Sequence, residues 1–181
     1  MIIRSDGSNK KASVPEVADA GRALLAAYSF QRTGNHHQRE DYELGVIVRA
    51  SLTGDEGKPI ARQLCRGLLA AAASHSVSAF EYDDLMTGLL RVHPDDVLDE
   101  QISGDKKAKG GSVGLIGEFA RHHTSPMDAV PDATLVAWCD RDPVARYPFA
   151  AAIATLYNQK DDENPDGWRD IARTLLLKTP D

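Results

Sequence analysis

Two pairs of adjacent histidines, His36-His37 in TGNHHQRED and His122-His123 in FARHHTSP, have the side chains most suited to metal chemistry in this chain. Imidazole is a common ligand of divalent metals. The spacing is wrong for chelation within a helix, because adjacent helical residues point about 100° apart. A His-Glu-x-x-His arrangement instead puts both rings on one face. These four histidines are therefore expected to be solvated loop residues. A metal centre would require His123 and Asp128 to meet His36 or Glu40 in space. His75 and His93 are expected at helix ends, where an imidazolium is favourable beside the negative end of the dipole.

Other candidate chemistry is equally thin. Cys65 and Cys139 lie in apolar surroundings without paired-ligand spacing, which predicts buried free thiols rather than a disulfide, a zinc site or a nucleophile. The carboxylate pairs Asp83-Asp84, Asp95-Asp96 and Asp161-Asp162 fall at turns and helix starts, where capping and solubility explain them. GDEGKP has neither the spacing nor the hydroxyl of a phosphate-binding loop. No catalytic residue, metal ligand or cofactor is assigned, and the chain is not expected to be an enzyme.

The elements that carry these residues are helical. In 181 residues, 42% hydrophobic and 27% charged, a packed core is expected, and the aromatic content of only 6% favours close contact through small side chains. The net charge is −6 and uneven: residues 1–90 hold ten Lys/Arg and eleven Asp/Glu, residues 91–181 eleven and sixteen. An acidic balance argues against nucleic acid as the main partner, since phosphate neutralisation needs a basic face. MIIRSDGSNKK lacks an apolar core of signal-peptide length and no run of eighteen apolar residues occurs, so a cytoplasmic protein without membrane contact is expected.

Residues 1–12 read as a flexible polar lead, and residues 13–181 as one all-helical domain. Ser13, Pro15 and Glu16 start the first helix, with Val17, Ala20, Leu24, Leu25 and Tyr28 at helical spacing. RTGNHHQRED breaks it. Leu44, Ile47, Val48, Ser51 and Leu52 then mark a second helix, although Val46, Ile47 and Val48 could also form a strand. A third helix starts at Pro59 and turns Ile60, Leu64, Leu68 and Ala71 inward. A fourth starts at Glu81 with Tyr82, Leu85, Met86 and Leu89 on one face. PDDVLDEQI can add a short helix, followed by a mobile loop near 103–112 in SGDKKAKGGS. Asp132 is expected to cap a short helix through Trp138 and Cys139. Pro148 is expected to kink the next helix or to force its start to Tyr147. Trp168, Ile171, Ala172, Leu175 and Leu176 mark the last.

Three registers point to an internal repeat. Pro59-Ile60-Ala61-Arg62 and Pro143-Val144-Ala145-Arg146 lie 84 residues apart. Arg22-Ala-Leu-Leu-Ala-Ala and Arg66-Gly-Leu-Leu-Ala-Ala lie 44 apart, and two Leu-Leu-x-x-x-Pro-Asp segments, ending at Asp95 and Asp181, lie 86 apart. A unit of about 42–44 residues is the length of a helical hairpin with its turns.

Asp140-Arg141-Asp142-Pro143-Val144-Ala145-Arg146, followed by small residues, resembles the inter-helix turn of a HEAT repeat. Asp142 would cap the new helix, Pro143 occupy its first turn, and Arg146 lie back over exposed carbonyls or a neighbouring acidic side chain. Pro59 and Arg62 form a weaker second copy, with Lys58 where the capping acid would be. LLRVHPDDVLDE and LLLKTPD are more faintly similar to helical regions of large bacterial nucleotide-binding proteins, some implicated in phage defence. The resemblance implies stacked helical hairpins of HEAT or armadillo type, an α-α superhelix acting as a scaffold for another protein or for neighbouring domains of a larger assembly. Self-association through terminal helices is a further expectation. The alternative is an enzyme on the same helices, either a metal-dependent hydrolase or a DNA-glycosylase-like protein using Trp138, Trp168, Asp140 and Arg146.

Overall fold

The computed structural model describes residues 15–31, 37–105, 126–156 and 167–180. The N-terminal lead expected over 1–12 lies outside them. Among the described residues there are eight α-helices and no strand: α1 (Pro15–Ala26), α2 (His37–Ser51), α3 (Lys58–Ala73), α4 (Asp83–Val92), α5 (Pro94–Asp105), α6 (Asp132–Asp140), α7 (Pro143–Leu156) and α8 (Gly167–Lys178). Short 3-10 turns cover Asp55–Gly57, Ala79–Tyr82 and Pro126–Ala129.

Several boundaries differ from the sequence expectation. α2 begins at His37, inside the segment taken as a break, and Val46–Val48 are helical rather than extended. The fourth helix is preceded by a 3-10 turn, and Tyr82, Leu85, Met86 and Leu89 are all buried as their spacing requires. α5 continues to Asp105, so its last turn occupies the first positions of the loop expected over 103–112, and 106–112 lie outside the described residues. Asp132 is the first residue of α6 and makes no capping bond; Pro131 precedes it in an extended conformation. α7 runs through Pro148. Proline there removes the N–H that would meet the Val144 carbonyl. Val144 is 75% exposed and Pro148 is exposed, so this side of α7 faces water, which can take up the freed carbonyl.

Each of α1, α3, α5 and α7 has a proline in its first turn: Pro15, Pro59, Pro94 and Pro143. Proline fits there because its φ is already helical and the missing N–H has no intrahelical partner. α1 packs on α3, and α3 on α5; α2 packs on α4, and α8 on α7. From α1 to α5, helices two apart in the chain thus lie side by side, whereas α7 and α8 are consecutive.

The tightest of these contacts is between α2 and α4. The Asp41 carboxylate accepts the Asp84 N–H on Oδ2 and the Leu85 N–H on Oδ1, both at 2.8 Å. It therefore caps the start of α4 from another helix; Tyr82, at the local capping position, supplies no side-chain bond. One turn further on, Gly45 meets the Asp84 carbonyl so closely that a Cβ would lie 2.6 Å from the oxygen, and a Cβ on Gly88 would lie 3.2 Å from the Gly45 carbonyl. Asp41 meets Asp84 and Gly45 meets Gly88, so the two helices run parallel with facing residues 43 positions apart. At their N-terminal end Phe30 sits edge-on between Tyr28 and Tyr82, with ring centroids 5.0 and 5.2 Å away, and the Tyr28 hydroxyl donates to Glu40 at 2.9 Å.

α3 ends with His75 in the left-handed region at φ 56°. The His75 N–H bonds the Ala72 carbonyl at 3.0 Å and the Ser76 N–H bonds Ala71 at 2.9 Å, satisfying two terminal carbonyls. Glycine normally holds such a position because a Cβ is strained there. His75→Gly should therefore raise stability by about 1 kcal/mol, read as a higher urea midpoint with an unchanged slope. Gly45→Ala should have the opposite effect. The new methyl cannot avoid the Asp84 carbonyl, and the loss should be about 2 kcal/mol or more by the same assay.

Candidate functional site

α5 has the sequence PDDVLDEQISGD and carries two adjacent rows of acids, Asp95 with Asp99 and Asp96 with Glu100, each pair one turn apart. Its apolar residues Val97 and Leu98 are fully buried, which leaves the acids at the edges of the buried face. Both rows are matched by arginines. Arg62 reaches Asp96, with Nε at 2.7 Å and Nη2 at 2.5 Å, and Arg66 reaches Glu100 at 3.6 Å. Both arginines come from α3, and the order of the pairs makes α3 and α5 parallel. From the other side Arg141 meets Asp95 at 2.8 Å and Arg146 meets Asp99 at 2.8 Å.

Of the five residues singled out for the repeat turn, Arg62 and Arg146 reach α5, while Asp142 and Pro143 are exposed at the start of α7 and Pro59 lies in the first turn of α3. The Asp142 carboxylate accepts the Ala145 N–H at 3.2 Å, Pro143 is the first residue of α7, and Arg146 donates to the Trp138 carbonyl at 2.7 Å as well as to Asp99. Pro59 lies in the first turn of α3, three residues before Arg62. The two Pro-x-Ala-Arg segments approach α5 from opposite flanks, each placing its arginine on an acid, Asp96 or Asp99. Lys58, in place of a capping acid, pairs with Asp55 at 2.6 Å.

Trp138 completes this junction. It is fully buried, its Nε1 donates to Asp99 at 2.9 Å, and the Arg146 guanidinium lies over its ring 4.7 Å from the centroid. Asp99 thus accepts from an indole N–H and a guanidinium at once. Next to it, Asp140 accepts the Tyr147 hydroxyl at 2.5 Å and Lys178 at 3.3 Å, tying α8 to α6 and α7. Donation from Tyr147, then from Lys178, holds the Asp140 carboxyl below the usual carboxylate range.

This geometry bears on the glycosylase-like alternative. A buried tryptophan offers no ring face on which a base could stack, and Asp140 and Arg146 are engaged in bonds within the fold; the Trp168 side chain lies outside the described residues. The arginines around α5 each face a carboxylate and so form no free basic surface. Both cysteines are buried and unpaired, and burial pushes each thiol up to about 12, far from the thiolate a nucleophile requires. Cys65 accepts from Gln101 Nε2 at 3.2 Å.

The side chains of His36, His37, His122 and His123 lie outside the described residues. Of the acids considered with them, Asp128 is exposed in its 3-10 turn and Glu40 is bonded to Tyr28. Among the described residues no group of three His, Cys, Asp or Glu side chains is placed to hold a metal, and no helix is long and apolar enough to cross a membrane. His93 is a buried structural residue: its Nε2 meets the Leu52 carbonyl at 2.5 Å, which requires Nε2 to carry the proton. The partners of Asp95, Asp96, Asp99 and Glu100 were not foreseen from sequence. The i, i+4 spacing of both acid rows was the available signal.

Comparison with family models, with curated proteins and with solved structures finds no match to this chain.

The two flanks of α5 should respond differently to truncation. Asp99→Ala leaves the Trp138 N–H and a largely buried Arg146 without their shared acceptor, and should cost about 2 kcal/mol with a shift in tryptophan emission on urea unfolding. Asp95→Ala removes a pair that is half exposed at both ends, and should change stability by less than about 0.5 kcal/mol.

Proposed function

We propose that this chain is a non-enzymatic HEAT-like helical-repeat module that binds another protein, or docks against neighbouring domains of a larger assembly, through the outer face of α8. Support for the repeat comes from the side-by-side packing of α1, α3 and α5, from the Pro-initiated first turns, and from the 43-residue offset between facing residues of α2 and α4. Repeats of this kind bury their apolar faces only against neighbours. The turn from Asp140 to Arg146 acts as a HEAT turn would, with an acid capping the new helix and an arginine folded back on the previous one.

The observation that carries the binding role is on α8. Ile171 and Leu175 turn inward, whereas Leu176 and Leu177 are 55% and 77% exposed beside the exposed Arg173. Two adjacent leucines with an arginine one turn away form a small apolar patch with a polar rim, the kind of surface that a partner helix or domain covers.

Purification of the chain at native abundance from its own cells tests this role, with the double variant Leu176→Glu/Leu177→Glu as control. The expected result is a protein that stays with the wild type in fixed ratio and is lost from the variant, while the far-ultraviolet circular dichroism of the two chains is the same. Equal retention by both, or no retained protein with the wild type, would remove the assignment of this face.

A further inference from the structure

Arg49 and Arg91 stand in the last turns of α2 and α4. The parallel pairing of these helices, with facing residues 43 apart, sets Arg49 opposite Val92, so Arg91 lies one residue from it along the common axis. Both are also on one side. Ile47 and Ser51 turn one flank of α2 to Gly21 of α1, and Arg49 lies on the other flank, with Tyr42 about two turns before it. On α4 the core flank is that of the fully buried Leu85 and Leu89, and Arg91 follows Gly88 on the opposite one.

Neither guanidinium is used by the fold. Among the described residues the partly buried Arg49 and the exposed Arg91 make no ion pair and no side-chain hydrogen bond, whereas Arg62, Arg66, Arg141 and Arg146 each reach a carboxylate. A cation in a last turn complements the helix dipole. At this end, however, the carbonyls already have donors: Ser51 accepts from Arg22 at 3.0 Å, Leu52 from the His93 ring at 2.5 Å and Leu89 from the His93 N–H at 2.9 Å. Asp83 and Asp84 are in the first turn of α4, about two turns from Arg91.

The geometry points to a docking site for an acidic protein segment: Arg49 and Arg91 receive two carboxylates of a partner helix, and Tyr42, 53% exposed on the same flank, supplies apolar contact beside them. Tyrosine and arginine are the residue types that protein interfaces favour. The molecule already uses this pairing internally, where Arg62 and Arg66 on α3 meet Asp96 and Glu100, one turn apart on α5. Two arginines in a chain of net charge −6 make too small a basic face for a phosphate backbone, so carboxylates are the fitting anions. This surface belongs to other helices than the exposed leucines of α8 and can be filled independently of them.

NMR of the arginine Nε–H signals of the intact chain tests the site, with an alanine-based helical peptide carrying glutamates one turn apart as probe and its glutamine counterpart as control. The Arg49 and Arg91 signals should shift with the glutamate peptide and not with the glutamine one, while those of Arg62 and Arg146, already paired, stay in place. Arg49→Gln/Arg91→Gln should weaken peptide binding on the order of tenfold at unchanged far-ultraviolet circular dichroism, since two exposed charge pairs together contribute about that factor. Inorganic phosphate and a short DNA duplex are the competing probes. Equal peptide affinity in the double variant, a stronger response of these two signals to phosphate or duplex than to peptide, or no shift at millimolar peptide would each overturn the site.

Discussion

The pairing of α5 with arginines on both flanks is the interaction on which the rest of the arrangement depends. A helix of only twelve residues has little apolar face to offer, and much of α5 is polar. It keeps its place because Val97 and Leu98 anchor it inward while four carboxylates meet four guanidinium groups. The two flanks differ in strength. Exposed pairs such as Arg141–Asp95 fix orientation at little net energy, whereas the Asp99–Arg146–Trp138 junction is partly shielded, and loss of its acceptor would strand both an indole N–H and a charge. Through that junction α6 and α7 are joined to α5, and through Arg62 and Arg66 so is α3.

The α2–α4 contact works by a different principle. Its closeness comes from absent side chains: two glycines let the backbones approach, Gly45 where a Cβ would collide with the Asp84 carbonyl and Gly88 where one would be a tight fit. Asp41 then supplies a cap that α4 lacks locally. The same acid that secures the helix start is the one hardest to keep ionised there. A capping bond prefers the charged carboxylate, while burial and the neighbouring acids oppose it.

Much of the helical organisation was legible in the sequence because apolar periodicity and proline position are local signals. Leu64, Leu68, Leu85, Met86 and Leu89 could be placed inward from spacing alone. The start of α2 at His37 was not legible, because Gly34 and Asn35 read as a break and no apolar stripe begins until Leu44. Nor could sequence decide whether Pro148 kinks α7 from within or marks its start, since tolerance of an interior proline depends on whether water reaches the Val144 carbonyl, a property of the packed molecule. Asp142 and Arg146 were found because they lie within one turn of chain. Asp41 and Asp99, which matter as much to the architecture, were missed because their partners are 39 to 47 residues away, and only the i, i+4 spacing of Asp95 and Asp99 hinted at one of them.

The sequence of α3, KPIARQLCRGLLAAAA, contains no acid at all, whereas α5 beside it carries an acid for every arginine that reaches it. The two helices are therefore not interchangeable. Were α3 duplicated in place, the inserted copy could satisfy α5, but the original would confront a helix with nothing to receive Arg62 and Arg66. Such a copy would need compensating changes on the receiving helix, because the order of these two helices is written into which of them gives charge and which accepts it.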